Sequence, residues 1–183
     1  MLKDLEKLYK EIQECKKCEL CELEINRRKL CPRIGKKRFL IVSQNPSCFR
    51  NPDETNVWGG LDNLPLSRLE KFLIDKGFLI SDFFITNVIK CSFQQNIVPI
   101  NIDEIINKCG DWLLKEISII NPKFILVLGK IAAKFFNIDM REKRLWNFIP
   151  VFATYHPSYV VRTNSYDDFF KIFEEALKYA DNS

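Results

Sequence analysis

The chain has 183 residues, enough for one well-buried domain and too few for two of typical size, so residues 1–183 are expected to form a single unit. Its 46% hydrophobic and 28% charged residues exclude the disordered and low-complexity classes, and no apolar run approaches membrane-spanning length. The formal charge of +4 permits contact with nucleic acid without demanding it.

In chain order, residues 1–14 are predicted to be an amphipathic helix with Leu2, Leu5, Leu8 and Ile12 on one face. This segment lacks the apolar core of a signal peptide, so a reducing, cytoplasmic location is expected. A cysteine-rich loop follows to about Lys37. Within it and just beyond, Arg27, Arg28, Lys29, Arg33, Lys36, Lys37 and Arg38 crowd together with no acid among them. Such a run is either a solvated basic loop or an edge that contacts phosphates. Phe39–Ser43 reads as a buried strand, and Gln44 to Gly60, rich in Asn, Pro and Gly, as loop. A helix is predicted from about Pro65 to Lys76, ending at Gly77. Phe83–Ile89 is a second strand with the polar Asn87 near its end. Ile102–Ile119 is a helix with Asn101 placed to cap it and Pro122 beyond its stop. Phe124–Leu128 is the third strand, and Gly129-Lys130 opens a short helix, Ile131–Phe136. Val151–Thr154 is the fourth strand and delivers Tyr155-His156-Pro157-Ser158; the last helix runs from Tyr166 to Tyr179.

Short apolar strands alternating with helices predict an α/β domain with a mostly parallel sheet covered on both faces. Ligands of such sheets bind beyond the carboxyl ends of the strands. Ser43-Gln44-Asn45, Asn87 and His156 all fall at or just past predicted strand ends, so residues distant in sequence are expected to meet on one rim.

The chain has seven cysteines, and in a reducing compartment a cysteine cluster points to metal rather than to disulfides. Cys15-Lys-Lys-Cys18 is a pair spaced to grip one metal or cluster, and Cys91 and Cys109 follow downstream. Cys18-Glu-Leu-Cys21 is an equally good pair, and Cys31 and Cys48 complete the set. Spacing alone does not separate zinc from a 4Fe–4S cluster. It also leaves open that Cys91 and Cys109 are ordinary buried cysteines packing as small apolar residues.

Several segments together resemble one family. They are Cys15-x-x-Cys18-x-Leu20, the basic loop, a strand ending in a Pro-containing turn, Ile85-Thr-Asn-Val-Ile-Lys-Cys91, Cys109, Asn121-Pro-Lys-Phe-Ile-Leu-Val-Leu-Gly129 and Thr154-Tyr-His-Pro-Ser-Tyr-Val-Val-Arg162. In this order they are similar to family 4 uracil-DNA glycosylases, over nearly the whole chain. The resemblance implies a three-layer α/β/α sandwich with a four-stranded, mostly parallel sheet. It also implies a 4Fe–4S cluster on Cys15, Cys18, Cys91 and Cys109, selecting iron–sulfur over zinc and those four over Cys21 and Cys31. One departure stands out. Where the family usually reads Gly-Glu-Ala-Pro-Gly, this chain has Ser43-Gln44-Asn45-Pro46-Ser47, with neither the acid nor the glycines.

The implied activity is monofunctional: uracil or a related deaminated base is flipped out of DNA and its N-glycosidic bond hydrolysed, leaving an abasic site. Asn87 would read the base, its carbonyl accepting uracil N3–H and its amide donating to O4. His156, the sole histidine, would donate to uracil O2 as charge grows there. Asn45 would orient the water but cannot serve as a carboxylate base; Asp53 and Glu54 in the next loop are candidate substitutes. Gln44, Pro46 and Ser47 belong to the same substrate-binding motif, and Ser47, being small, would leave the C5 side of the pocket open. Trp58 would stack on the base. Ser158, Tyr159 and Arg162, with the residues between, resemble a loop that enters the minor groove. Two alternatives stay open: a glycosylase-fold protein that binds DNA or a modified base without cutting, and a glycosylase for another lesion such as hypoxanthine or xanthine. The expected partner is DNA bearing the lesion, with the protein a monomer; a sliding clamp stays open as a partner, though no motif supports it.

Overall fold

The computed structural model describes residues 1–23, 32–46, 61, 64 and 66–180. Its elements are α1 (Leu2–Gln13), β1 (Phe39–Ser43), α2 (Leu66–Asp75), β2 (Phe83–Asn87), α3 (Ile102–Ile120) and β3 (Phe124–Leu128). They continue with α4 (Lys130–Phe135), β4 (Lys143–Trp146), β5 (Ile149–Thr154), α5 (Pro157–Thr163) and α6 (Tyr166–Leu177). The sheet order is β2-β1-β3-β5-β4, with β4 alone antiparallel to its neighbour. This is the expected α/β/α sandwich, but with five strands rather than four.

The missed strand has a physical cause. β4 reads Lys-Arg-Leu-Trp and is mostly exposed, so it carries no apolar run. It joins β5 through Asn147 and Phe148, both at positive φ, the backbone of a tight hairpin that usually announces itself with glycine.

The core lies on both faces of the sheet. Side chains alternate along each strand, so Leu40, Val42, Phe84, Val127 and Ala153 face α1, α3 and α4. Phe39, Ile41, Phe83, Ile85, Leu126 and Phe152 face α2 and α6. The abundant phenylalanine is spent here: Phe39 stacks on Phe124 at 5.0 Å between ring centroids and leans on Phe83 at 5.5 Å. Chain stops follow local chemistry. Gly77 after α2 has φ +79, and Asn121 after α3 adopts the left-handed conformation ahead of Pro122. Asn101 stands at the start of α3 as expected but does not cap it; its amide donates instead to Glu19 at 2.7 Å, tying α3 to the N-terminal segment. Among the described residues, no helix is long and apolar enough to cross a membrane.

Residues 33–37 lie along the edge of the sheet at β2 and the turn before it, with one antiparallel bridge at Arg33. Arg33 and Ile85 exchange two backbone bonds, and Lys36 and Lys37 donate to Ser81 and Asp82. Only glycine allows this approach at position 35, where an added Cβ would lie 2.3 Å from the Phe83 carbonyl carbon and 2.4 Å from the Phe84 nitrogen. Gly35→Ala is therefore expected to force the segment off β2 and lower unfolding stability by about 1–3 kcal/mol, the usual range for overpacking. Equilibrium denaturation checks this, and an unchanged midpoint contradicts it.

Candidate functional site

Because β1, β2, β3 and β5 run in one direction, their carboxyl ends share one edge. Asn87 is the last residue of β2 and stands in register beside Ser43, the last residue of β1. Strand alternation puts Ser43, Asn87 and Thr154 on the α2/α6 face, two residues beyond Ile41, Ile85 and Phe152. All three are buried, Asn87 to 2% exposure. Asn87 Oδ1, Ser43 Oγ and Thr154 Oγ1 have no hydrogen-bond partner among the described residues. A buried acceptor left in this state costs about 1–3 kcal/mol, and three on one rim call for an explanation.

Asn45 lies just past β1. Its side-chain nitrogen donates to the Pro46 carbonyl at 2.8 Å, which fixes the amide's orientation and leaves Oδ1 as its acceptor. Gln44 is half-buried, and its carbonyl takes the Ile89 N–H at 2.9 Å, continuing the strand pairing past the end of β2.

His156 follows β5 and caps α5. Its Nδ1 accepts from the Ser158 N–H at 3.2 Å and lies 2.8 Å from Ser158 Oγ. An Nδ1 engaged as an acceptor places the neutral ring's proton on Nε2. Gly129 backs this loop: its N–H donates to the Thr154 carbonyl, its φ is +92, and a Cβ there would sit 3.1 Å from His156 Cβ.

Ser158, Tyr159 and Arg162 lie not on a loop but on the seven-residue helix α5. His156 as cap, Pro157 at the first position and left-handed Asn164 at the end define it, a start-and-stop signal legible in the sequence. Tyr159 packs near Tyr155 at 4.7 Å, and the exposed Arg162 guanidinium lies 5.6 Å from the Tyr159 ring. Ser47, Trp58, Asp53, Glu54, Cys31, Cys48, Arg27, Arg28 and Lys29 fall outside the described residues. Of the basic run, Lys36, Lys37 and Arg38 stand at the amino ends of the strands, away from the Asn87 rim. Lys37 is engaged there with Asp82 at 3.6 Å and over the Phe78 ring.

The cysteines converge elsewhere. Cys15, Cys18, Cys21, Cys91 and Cys109 line one small hollow, with Ile12, Lys17, Lys90 and Lys108. Cys21 thus joins the four expected residues at the wall. Trp112 Nε1 donates to Cys15 Sγ at 3.3 Å and the Lys90 N–H to Cys109 Sγ at 3.2 Å. Burial pushes the Cys18 and Cys109 thiols above their ordinary values; at Cys109 the Lys90 N–H opposes this. Among the described residues, no three His, Cys, Asp or Glu side chains converge as ligands of a single metal ion.

Residues that sequence reasoning passed over lie between the two centres. Lys90 and Glu116 form an ion pair at 2.7 Å with side chains 5% and 0% exposed. Burial raises the Glu116 carboxyl above the ordinary carboxylate range, while Lys90 and Thr86 pull it back. The signal was present: Glu116 is the one acid on the buried stripe of α3, seven residues after Cys109.

Residues 31–180 match the Uracil DNA glycosylase superfamily. The chain belongs to the uracil-DNA glycosylase superfamily. Relatives within the superfamily include type-4 uracil-DNA glycosylases. That of Archaeoglobus fulgidus is 33% identical over 58% of this chain and 62% of its own length. That of Thermotoga maritima is 36% identical over 53% and 54%, so the chain matches under two thirds of either protein. The type-4 enzyme of Pyrobaculum aerophilum is 28% identical over 87% of this chain and 85% of its own length. Within the superfamily match fall Asn45, Asn87, His156, Cys91 and Cys109; Cys15 and Cys18 precede it.

The single histidine makes one expectation directly readable. In ¹⁵N spectra recorded where the ring is neutral, His156 is expected to show the Nε2–H tautomer. Gly129→Ala, by pressing on His156, is expected to shift those resonances, whereas an unmoved spectrum contradicts the packing described.

Proposed function

We propose that this chain is a monofunctional uracil-DNA glycosylase whose base pocket lies at the carboxyl edge of β1, β2 and β5. The observation that carries the reading is Asn87 Oδ1, a buried acceptor without a partner among the described residues. It sits at the end of β2, where the resemblance to family 4 enzymes implies the base reader. Uracil N3–H satisfies that oxygen, and the carboxamide nitrogen serves O4. His156, with its proton on Nε2, donates to O2 as the C1′–N1 electron pair leaves with the base; the positive end of that hydrogen bond stabilises the growing charge. Asn45, its nitrogen held by Pro46, offers Oδ1 to the water whose oxygen adds to C1′. The water's surplus proton ends on the released base. Tyr159 and Arg162, exposed on α5 next to His156, face the DNA in this reading. With a neutral amide rather than a carboxylate to hold the water, turnover is slow relative to glycosylases that carry a carboxylate there.

The cysteine hollow fits an iron–sulfur cluster better than a single zinc. Its donors are all thiols, two of which accept N–H bonds, as cluster ligands do. All of them line the same hollow. Cys15, Cys18, Cys91 and Cys109 would hold a 4Fe–4S cluster, with Cys21 at its wall. Held by these residues, the cluster would serve a structural role, because Cys15 and Cys18 belong to the N-terminal segment, Cys91 follows β2 and Cys109 lies on α3.

The direct test is uracil release from U·G, U·A and single-stranded DNA by protein whose iron and labile sulfide have been quantified. Release is expected, with Asn87→Ala and His156→Ala each slowing it by about 10²- to 10³-fold, the range for a lost preorganised donor. No release from any of the three substrates ends the proposal. Tight binding without abasic product would indicate a binding protein, and release confined to hypoxanthine or xanthine duplexes would move the substrate. In the same preparations, Ser at position 15, 18, 91 or 109 is expected to lower iron and sulfide content. Cys21→Ser is expected to preserve it, and its loss there would reassign the ligand set.

A further inference from the structure

Behind the proposed base reader, on the opposite face of the sheet, lies a buried charged group that the chemistry above does not use. Thr86 precedes Asn87 and so points toward α3, where Glu116 waits. Lys90 Nζ meets Glu116 Oε2 at 2.7 Å, Thr86 Oγ1 at 2.9 Å and the Asn87 carbonyl oxygen at 2.5 Å. Thr86 Oγ1 in turn donates to both Glu116 oxygens, at 3.0 and 3.1 Å. The three donors of one ammonium thus have three acceptors, and one of those acceptors belongs to the peptide of Asn87.

A buried ion pair of this kind is weak evidence for stability, because desolvation offsets its attraction and well-packed apolar residues often serve as well. Its directionality is what apolar packing cannot supply. Asn87 is where β2 ends, and its carbonyl is held by the Lys90 side chain. The Lys90 N–H is also fixed, to Cys109 Sγ, and Cys91 is the next residue. A single residue therefore anchors the strand end on one side and the cysteine hollow on the other.

We propose that Lys90, oriented by Glu116 and Thr86, is a positioning residue: it holds the Asn87 peptide and thereby aims the carboxamide at the base. This inference rests on the reading of Asn87 as the base reader. It is tested with intact, cluster-loaded protein in a cycle of wild type, Asn87→Ala, Lys90→Met and the double variant. The readout is single-turnover uracil excision, alongside melting temperature and iron and sulfide content. Lys90→Met is expected to slow excision on the order of 10²-fold, as small misplacements of reacting groups do. In the Asn87→Ala background it is expected to add little, because residues that act through one another are non-additive. A merely structural lysine gives the opposite pattern, the same loss in both backgrounds, and that result overturns the inference, as does a Lys90→Met protein with wild-type rates. Should Lys90→Met fail to fold with Glu116 unpaired, Lys90→Met/Glu116→Leu removes both charges. It is expected to fold and remain slow, and recovery of wild-type excision in it overturns the proposal. If Asn87→Ala itself excises at the wild-type rate, the base-reader assignment has failed and the inference falls with it, an outcome distinct from failure at Lys90.

Discussion

Four parallel strands with both faces buried impose the constraint on which the rest of this molecule depends. A parallel sheet covered by helices on each side has no solvated face on which to place polar side chains. Here β1 and β3 are wholly buried and their side chains apolar until the last residue of β1. Polar groups are therefore pushed to the strand ends, and because the strands are parallel those ends coincide. Ser43, Asn87 and Thr154 are the result: three polar side chains at one edge and on one face, each with a buried atom for which the described protein supplies no partner. The proposed base pocket follows from this sheet geometry more than from any single residue.

The six residues Thr86 to Cys91 carry two jobs because a strand alternates. Asn87 faces α2 and α6 with its side chain, while Thr86 faces α3. The turn after the strand then brings Lys90 back beneath Asn87 and places Cys91 at the cysteine hollow. α3 answers with Cys109 and Glu116, separated by two helical turns and so on one stripe. The cysteine centre and the proposed base reader are thus packed against the same short segment. An intact cysteine centre would bear on the geometry of Asn87 as well as on the tether to α1.

The apolar elements were legible in the sequence because burial on both faces leaves unbroken runs, as in Phe39–Ser43 and Phe124–Leu128, both of which the structure reproduces residue for residue. The placement of Asn87 and His156 at strand ends was legible for the same reason. β4 was not, since an exposed edge strand of Lys-Arg-Leu-Trp carries no periodic apolar signal and its turn uses Phe148 where glycine is usual. Helix α5 was missed although Pro157 and the capping His156 announce it, because its seven residues are too few for periodicity to speak. The Lys90–Glu116 pair is tertiary: it joins β2's end to α3 across 26 residues, and a lone acid on a helix's buried stripe does not say which cation it will meet.

The charge balance of the rim decides how the proposed chemistry is shared. Among the described residues at that edge, Ser43, Gln44, Asn45, Asn87, Thr154 and His156, none is a carboxylate. A neutral amide can align water through Oδ1, but it cannot take the water's proton or stabilise positive charge on the sugar. In the proposed reading these described residues act on the other end of the bond, through His156 Nε2–H and Asn87, and a carboxylate at the water would have to come from Asp53 or Glu54. Catalysis concentrated on the leaving group favours bases whose anions are intrinsically stable and can occupy both donors at once. Selectivity in such a site is set by the same hydrogen bonds that set rate, so the precision with which Asn87 is held governs both.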